Sequence, residues 1–180
     1  MATKIVGIAG KARSGKDTVA GFLREHFNYD VYSFAQPIRD ITKYLLLIDE
    51  EYIEGGKKED KLDWVDTSYR EFAQKLGTEF VREMIDQDFW IKRAVQYVKQ
   101  YKPEYIVIPD VRFENEAEWI RKQGGIVWHL DRPDVVKVRD HISEAGVSVD
   151  KGDPLISNKG SLGDLYKVVE KIVLGNKFYS

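Results

Sequence analysis

Residues 7–19, GIAGKARSGKDTV, carry Gly10, Gly15 and Lys16 at the spacing of a phosphate-binding loop. Glycines at these places let successive backbone N–H groups converge on one anion. A helix starting behind Lys16 would add partial positive charge, and the Lys16 ammonium would reach the outer phosphates of a nucleoside triphosphate as a point charge. Lys11, Ala12, Arg13 and Ser14 fill the loop between the glycines. The usual pattern continues with a Ser or Thr whose hydroxyl holds magnesium. This chain has Asp17 there, then Thr18. Asp17 has two compatible readings. It is an acidic residue in a first helical turn, which the helix dipole favours, or a hard oxygen ligand near magnesium, direct or through water. Thr18 offers a hydroxyl to a phosphate. The sequence leaves these uses open.

A second acidic candidate, Asp110, closes the apolar run YIVIPD. An aspartate at a strand's C-terminal end is where the magnesium shell of a phosphate-loop enzyme takes its other carboxylate. The plainer reading is a turn aspartate after proline. Arg112 could clamp a phosphate, while Glu114 and Glu116 read as a solvated helix start. Phosphoryl transfer needs positive charge around the moving group, and Arg13, Arg39, Arg70, Arg82, Arg112, Arg132 and Arg139 are the arginines placed to supply it. Most surface arginines are only solvated or ion-paired. Arg82 stands apart because Gly77 and Thr78 precede it by one turn. Arg132 and Arg139 fall in a polar stretch suited to a mobile lid that excludes water. His26, His129 and His141 lack metal-ligand spacing, so no zinc site is expected. Phe34, Tyr69 and Trp90 could stack on a base, although core packing is the simpler use of each.

These residues need elements to hold them. The run KIVGIA predicts a buried strand at Lys4 to Ala9, and Asp17 to Phe27 an amphipathic helix. A second strand is expected at Tyr29 to Ala35, then a helix with Pro37 in its first turn, to about Leu47. Residues 49–67 mix both charges around Gly55-Gly56 without periodicity and read as a solvated, mobile insertion. A helix from Ser68 to Ile85, interrupted or kinked near Gly77, leads to one that Asp88 could cap, running to about Tyr101. A strand at Tyr105 to Ile108 is expected to stop at Pro109-Asp110. It is followed by a helix from Asn115 to Gln123 ended by Gly124-Gly125, a strand at Ile126 to Leu130, a short strand at Leu155-Ile156, and a closing helix from Leu162 to Leu174. Strands alternating with helices imply a mostly parallel sheet covered on both faces, with ligands beyond the strands' carboxyl ends. The chemical residues fall at those ends.

The 180 residues suit one domain, and 43% hydrophobic with 32% charged residues is ordinary for a globular protein. A net charge of −2 gives no global pull toward nucleic acid or anionic membrane, so anion binding must be local. Cysteine is absent, which excludes disulfides and thiolate metal sites. The N-terminal apolar run is too short for a membrane span and lacks a signal-peptide layout, so the expected location is cytoplasmic.

Taken together, GKARSGKDT, YSFAQPIRD, REFAQKLGTEFVRE, DQDFW, IPDVRFENEAEWIRKQGG, HLDRP, HISE and DPLISNKGSLGDL resemble the bacteriophage-type deoxynucleoside monophosphate kinases, in the same order over nearly the whole chain. The resemblance implies a three-layer α/β P-loop fold with a mostly parallel five-stranded sheet, as in nucleoside monophosphate kinases. It implies a single domain with a monophosphate-binding region at about 36–90 and a small lid at about 132–152. It implies transfer of the γ-phosphate of ATP, with Mg2+, to a deoxynucleoside monophosphate, supporting DNA replication. A GKD-T loop is usual in that family, so Asp17 conforms to it. By position, Gly10 to Thr18 match the ATP-phosphate site, with Asp17, Thr18 and Asp110 near the metal. Ser33, Phe34, Arg39, Arg70, Gln74, Thr78, Arg82, Arg112 and Glu116 match the monophosphate side. Lys16, Arg82, Asp110, Arg112 and Arg132 would carry catalysis. Arg132 and the segment holding Arg139, His141, Ser143 and Glu144 match the lid. Asn158, Gly160 and Ser161 lie in a loop that passes near the adenine in related kinases. The expected partners are small molecules, in a monomer or homodimer, in the host cytoplasm if phage-encoded. Other readings are a kinase for dephospho-coenzyme A or another small acceptor, a nucleotide-binding regulator without transfer, and an ATPase motor, the last weakened by the absence of a basic patch.

Overall fold

The computed structural model of the chain describes residues 3–133 and 146–175. In chain order the elements are β1 (Lys4–Gly10), α1 (Lys16–Phe27), β2 (Asp30–Val31), α2 (Gln36–Leu46), α3 (Glu50–Ile53), β3 (Lys61–Leu62), β4 (Val65–Ser68), α4 (Tyr69–Gln74), a π-helix (Lys75–Ile85), α5 (Phe89–Tyr101), β5 (Tyr105–Val111), α6 (Glu114–Lys122), β6 (Ile126–Asp131), β7 (Leu155–Ser157) and α7 (Leu162–Gly175). The backbone gathers into two compact units, Met1–Ser33 with Val95–Ser180, and Phe34–Ala94.

The first unit holds a five-stranded sheet of order β2-β5-β1-β6-β7, parallel at every pairing. Alternation along β1 separates its faces. Val6 and Ile8 join Trp128, Leu130 and Ile156 under α1 and α7, which contribute Val19, Leu23, Leu165, Val169 and Val173. Each such fully buried side chain stabilises the fold by roughly 1.5–3 kcal/mol. On the other face α6 comes so close to β1 that a Cβ on Gly7 would lie 2.6 Å from Ile120 Cδ1 and 2.9 Å from Val111 Cγ2. The layered α/β architecture expected from the sequence is therefore present.

Two strand expectations need correction. The second strand is confined to Asp30–Val31, with Tyr32 N–H still donating to Val107 O at 3.0 Å. Tyr32 and Phe34 are both buried, and side-chain burial without a continuing partner strand does not extend a ladder. The strand at 105 does not stop at Pro109 but runs to Val111. Proline lacks the ladder N–H and is tolerated at irregularities. Here the β1–β5 register shifts between Gly7 and Ala9, and β2 pairs only with Ile106 and Val107.

The second unit has its own core, in which Leu46, Ile48, Ile53, Leu62 and Tyr69 pack together. Residues 49–67 are thus not a featureless insertion. Asp49 caps α3 by accepting Glu51 N–H at 3.0 Å, and β3 and β4 form an antiparallel hairpin. The apolar members, Tyr52, Ile53, Leu62 and Val65, are too widely spaced for either period to show. Ser68 caps α4 through Glu71 N–H at 3.2 Å. The helix expected to be interrupted or kinked near Gly77 is interrupted there, passing after Gln74 into eleven residues of π-helix. Gly77 has no room for a side chain, since a Cβ would meet Ile38 Cδ1 at 2.5 Å, and its carbonyl accepts the Trp90 indole N–H at 3.0 Å.

Candidate functional site

The loop between β1 and α1 has the backbone its glycines predict. Gly10 takes φ +150° and Gly15 φ +103°, where side chains are disfavoured. Space forbids them as well, since a Cβ on Gly10 would lie 2.4 Å from Leu130 O. Gly15 is also the residue from which α1 starts. Lys16 folds back over the loop, its Nζ donating to Gly10 O at 2.8 Å and Lys11 O at 2.6 Å. Asp17 and Thr18 stand exposed in the first helical turn, and Arg13 is exposed at φ 63°.

Beside the loop lies a cavity of about 650 Å³ lined by Gly10, Lys11, Ala12, Lys16, Arg112 and Lys159, among others. Its basic members come from three separate strand ends, so the charge is local, as the near-neutral chain requires. Lys159 was not singled out from the sequence. Its only signal is a cation inside the NKGS turn at the end of β7.

Asp110 is buried on β5 and accepts Ser33 Oγ–H at 2.7 Å. The structure thereby joins a residue matched to the metal with one matched to the monophosphate side. Glu116 corrects its expectation of a solvated helix start. It is 3% exposed, and its Oε2 accepts Arg112 N–H at 2.9 Å and Phe113 N–H at 3.1 Å. That carboxylate shapes the β5–α6 turn that carries Arg112. Glu114 is also engaged, accepting Ser148 Oγ–H at 2.6 Å and Ser148 N–H at 2.9 Å. These bonds hold its carboxyl below the ordinary range. Beside it, Arg121 donates to Asp153 at 2.6 Å and to Ser148 O at 2.9 Å, and Asp153 lies 3.3 Å from His129 Nε2. Burial pushes the Asp153 carboxyl up, but hydrogen bonds from Arg121, the Asp150 amide and His129 outweigh it, and the net shift is downward. Six residues spread over 114–153 leave no local pattern, so the sequence alone does not disclose this network.

Phe34, Arg39, Arg70, Gln74, Thr78 and Arg82 all belong to the second unit. Thr78 and Arg82 are both buried on the π-helix. Arg70 pairs with Glu59, and Arg39 lies 3.6 Å from Glu54. Phe34, Tyr69 and Trp90 are core residues, at most 8% exposed. Arg132 is exposed just past β6. Asn158 and Gly160 follow β7, with Asn158 reaching the glycine loop and Gly160 close against Asp164. Ser161 caps α7 with Asp164. Arg139, His141, Ser143 and Glu144 lie outside the described residues. Among the described residues no group of three or more His, Cys, Asp or Glu could hold a metal on its own. The two carboxylates expected near the metal, exposed Asp17 and buried Asp110, are of the kind Mg2+ takes, since this ion binds through one or two carboxylates and completes its shell with phosphate and water oxygens. None of the described helices is long and apolar enough to cross a membrane.

A family model described as deoxynucleotide monophosphate kinase matches residues 4–52 and 57–169. The deoxynucleotide monophosphate kinase of Enterobacteria phage T4 is 24% identical over 234 residues, spanning 93% of this chain and 97% of that protein. The deoxynucleoside-5′-monophosphate kinase of Escherichia phage T5 is 26% identical over 215 residues, spanning 79% of this chain and 84% of the relative. Among solved structures, shikimate kinase from Aquifex aeolicus superposes with a TM-score of 0.51 at 13% identity, covering 98% of this chain and 99% of that one. At that identity the likeness speaks to the fold alone.

Proposed function

Since the chain belongs to the deoxynucleotide monophosphate kinase family, we propose that it transfers the γ-phosphoryl group of ATP to a deoxynucleoside 5′-monophosphate, giving the diphosphate and ADP and so feeding DNA synthesis. The observation that carries this reading is the glycine loop with Lys16, opening on a cavity that also receives Arg112 and Lys159. The Gly10–Thr18 loop binds the donor phosphates through backbone N–H groups and Lys16, which must turn from the Gly10 and Lys11 carbonyls toward phosphate. Asp17, Thr18 and Asp110 are the oxygens that would hold Mg2+, whose part is to neutralise charge on the β- and γ-phosphates.

The acceptor is assigned to the second unit, where Arg39, Arg70 and Arg82 supply cations and Gln74 and Thr78 hydrogen bonds. An oxygen of the acceptor's phosphate forms a bond to the γ-phosphorus as the bond from that phosphorus to the β,γ-bridging oxygen breaks, leaving ADP. Catalysis is positioning plus electrostatic stabilisation, with no covalent enzyme intermediate. Arg132, exposed just past β6, adds a further cation in this scheme.

The test is ADP release with ATP and Mg2+ across deoxynucleoside monophosphates, ribonucleoside monophosphates and dephospho-coenzyme A. Release that depends on an added deoxynucleoside monophosphate is expected. Inactivity on every deoxynucleoside monophosphate overturns the proposal, and activity on dephospho-coenzyme A alone would replace its acceptor.

A further inference from the structure

We propose that Asn158 is a positioning residue that sets the direction of the Gly15 N–H in the phosphate loop, and does so without reading the nucleotide's base. Asn158 stands just after β7, its own N–H donating to Asp131 O at 2.8 Å. Its side chain crosses to the loop, where Nδ2 donates to Ser14 O at 2.9 Å, a link between residues 144 positions apart. The same Nδ2 lies 2.7 Å from where a Cβ on Gly15 would stand. Asn158 therefore packs on the bare face of Gly15 and holds the carbonyl immediately before it.

A trans peptide is planar, with its C=O and N–H pointing in opposite directions. No cis peptide occurs among the described residues. Holding the Ser14 carbonyl on Asn158 turns the Gly15 N–H away from Asn158. Gly15, at φ +103°, is the residue whose flanking peptides could rotate most freely. If the 14–15 peptide flipped, a carbonyl oxygen would replace an N–H donor, and an anion bound in the loop would meet repulsion in place of a hydrogen bond. The Asn158 amide guards against that rotation. This inference rests on the reading that the loop binds a triphosphate.

The test measures binding of ATP, GTP and inorganic tripolyphosphate, each with Mg2+, to the full chain and to Asn158→Asp and Asn158→Ala, with melting temperatures alongside. Asp keeps the size but turns an acceptor toward the Ser14 carbonyl. Both variants are expected to weaken all three ligands by the same factor, about tenfold, the scale of one lost hydrogen bond. The KM for the monophosphate should change less than about twofold, since the acceptor does not use this loop. Loss for ATP and GTP with tripolyphosphate unaffected would make Asn158 a nucleoside contact, and unchanged binding of all three would remove its role; either overturns the inference. Should both variants fail to fold, a scalar coupling across the hydrogen bond from Asn158 Nδ2 to the Ser14 carbonyl carbon, measured in the unaltered protein with tripolyphosphate bound, decides the matter. Its presence supports the inference and its absence overturns it. Failure of the unaltered protein to bind ATP or tripolyphosphate would refute the function proposed above and leave no triphosphate for Asn158 to serve.

Discussion

Ser33 and Asp110, 77 residues apart in the chain, meet at the carboxyl ends of neighbouring parallel strands, the hydroxyl donating to the carboxylate at 2.7 Å. The bond holds one oxygen of a buried acid. Ser33→Ala is expected to lower stability by about 1–2 kcal/mol, the cost of removing a hydrogen bond to a buried charged group. It should also raise the Mg2+ concentration needed for half-maximal turnover. Denaturant unfolding and a magnesium titration check the two effects, and an unchanged magnesium requirement would separate Asp110 from the metal.

Asp17 is the other carboxylate proposed to hold Mg2+. It is exposed in the first turn of α1, so Asp17→Ser removes little packing and stability should change by less than about 0.5 kcal/mol. If the carboxylate is interchangeable with a hydroxyl as an oxygen ligand, turnover persists with an altered magnesium profile. A loss beyond about a hundredfold would show that the carboxylate has its own place in the coordination shell.

Glu116 receives two backbone N–H groups on one oxygen. Glu116→Gln keeps the shape but replaces charge-assisted bonds with weaker neutral ones. The expected cost is about 1–2 kcal/mol, with a fall in kcat larger than any rise in the ATP KM, because the turn that carries Arg112 loosens. Thermal unfolding and steady-state kinetics measure both. A pure KM effect on the monophosphate, with stability unchanged, would instead favour direct contact with nucleotide.

The cluster around Arg121 predicts a response to acid. Glu114 and Asp153 both have carboxyls lowered from their ordinary values of 4.5 and 3.8. Groups depressed in the folded state contribute stability that is fully present above those ordinary values and is lost as pH falls through the folded ones. The hold on residues 146–153 should therefore weaken only below about pH 4.5. Arg121→Ala should reproduce the loosening at neutral pH. Exchange of the Ser148 amide, which donates to Glu114, is the readout. Equal protection in the variant and the parent at pH 7 would contradict this.

The strand, glycine loop and helix at the start of the chain were legible because their signals are local. The glycine loop, the apolar run before it and the helix after it occupy two dozen consecutive residues, and each obeys a short-range rule. The placing of Asp110 and Arg112 near the end of an apolar strand was legible for the same reason, although the strand runs on to Val111. What the sequence did not disclose depends on distance. The bond from Asn158 to Ser14 and the cluster joining Glu114, Arg121, His129, Ser148 and Asp153 need the finished sheet before their partners meet. Residues 49–67 misled because their charges are frequent while the few apolar residues that build a core fall at no single period. The π-helix was hidden because its wider turn needs no unusual residue, only the tight approach of Ile38 to Gly77 and the anchoring of Trp90 to its carbonyl.

The order of the sheet has a kinetic consequence. β1, which carries the phosphate loop, pairs with β5 through Lys4–Tyr105 and with β6 through Val6–Ile126, so its neighbours lie roughly a hundred residues downstream. Such pairings come late, because loop closure opposes them until the intervening chain has condensed. During synthesis the glycine loop emerges early yet stays unformed until β6 has left the ribosome. A nascent chain released before residue 131 should capture no nucleotide at all.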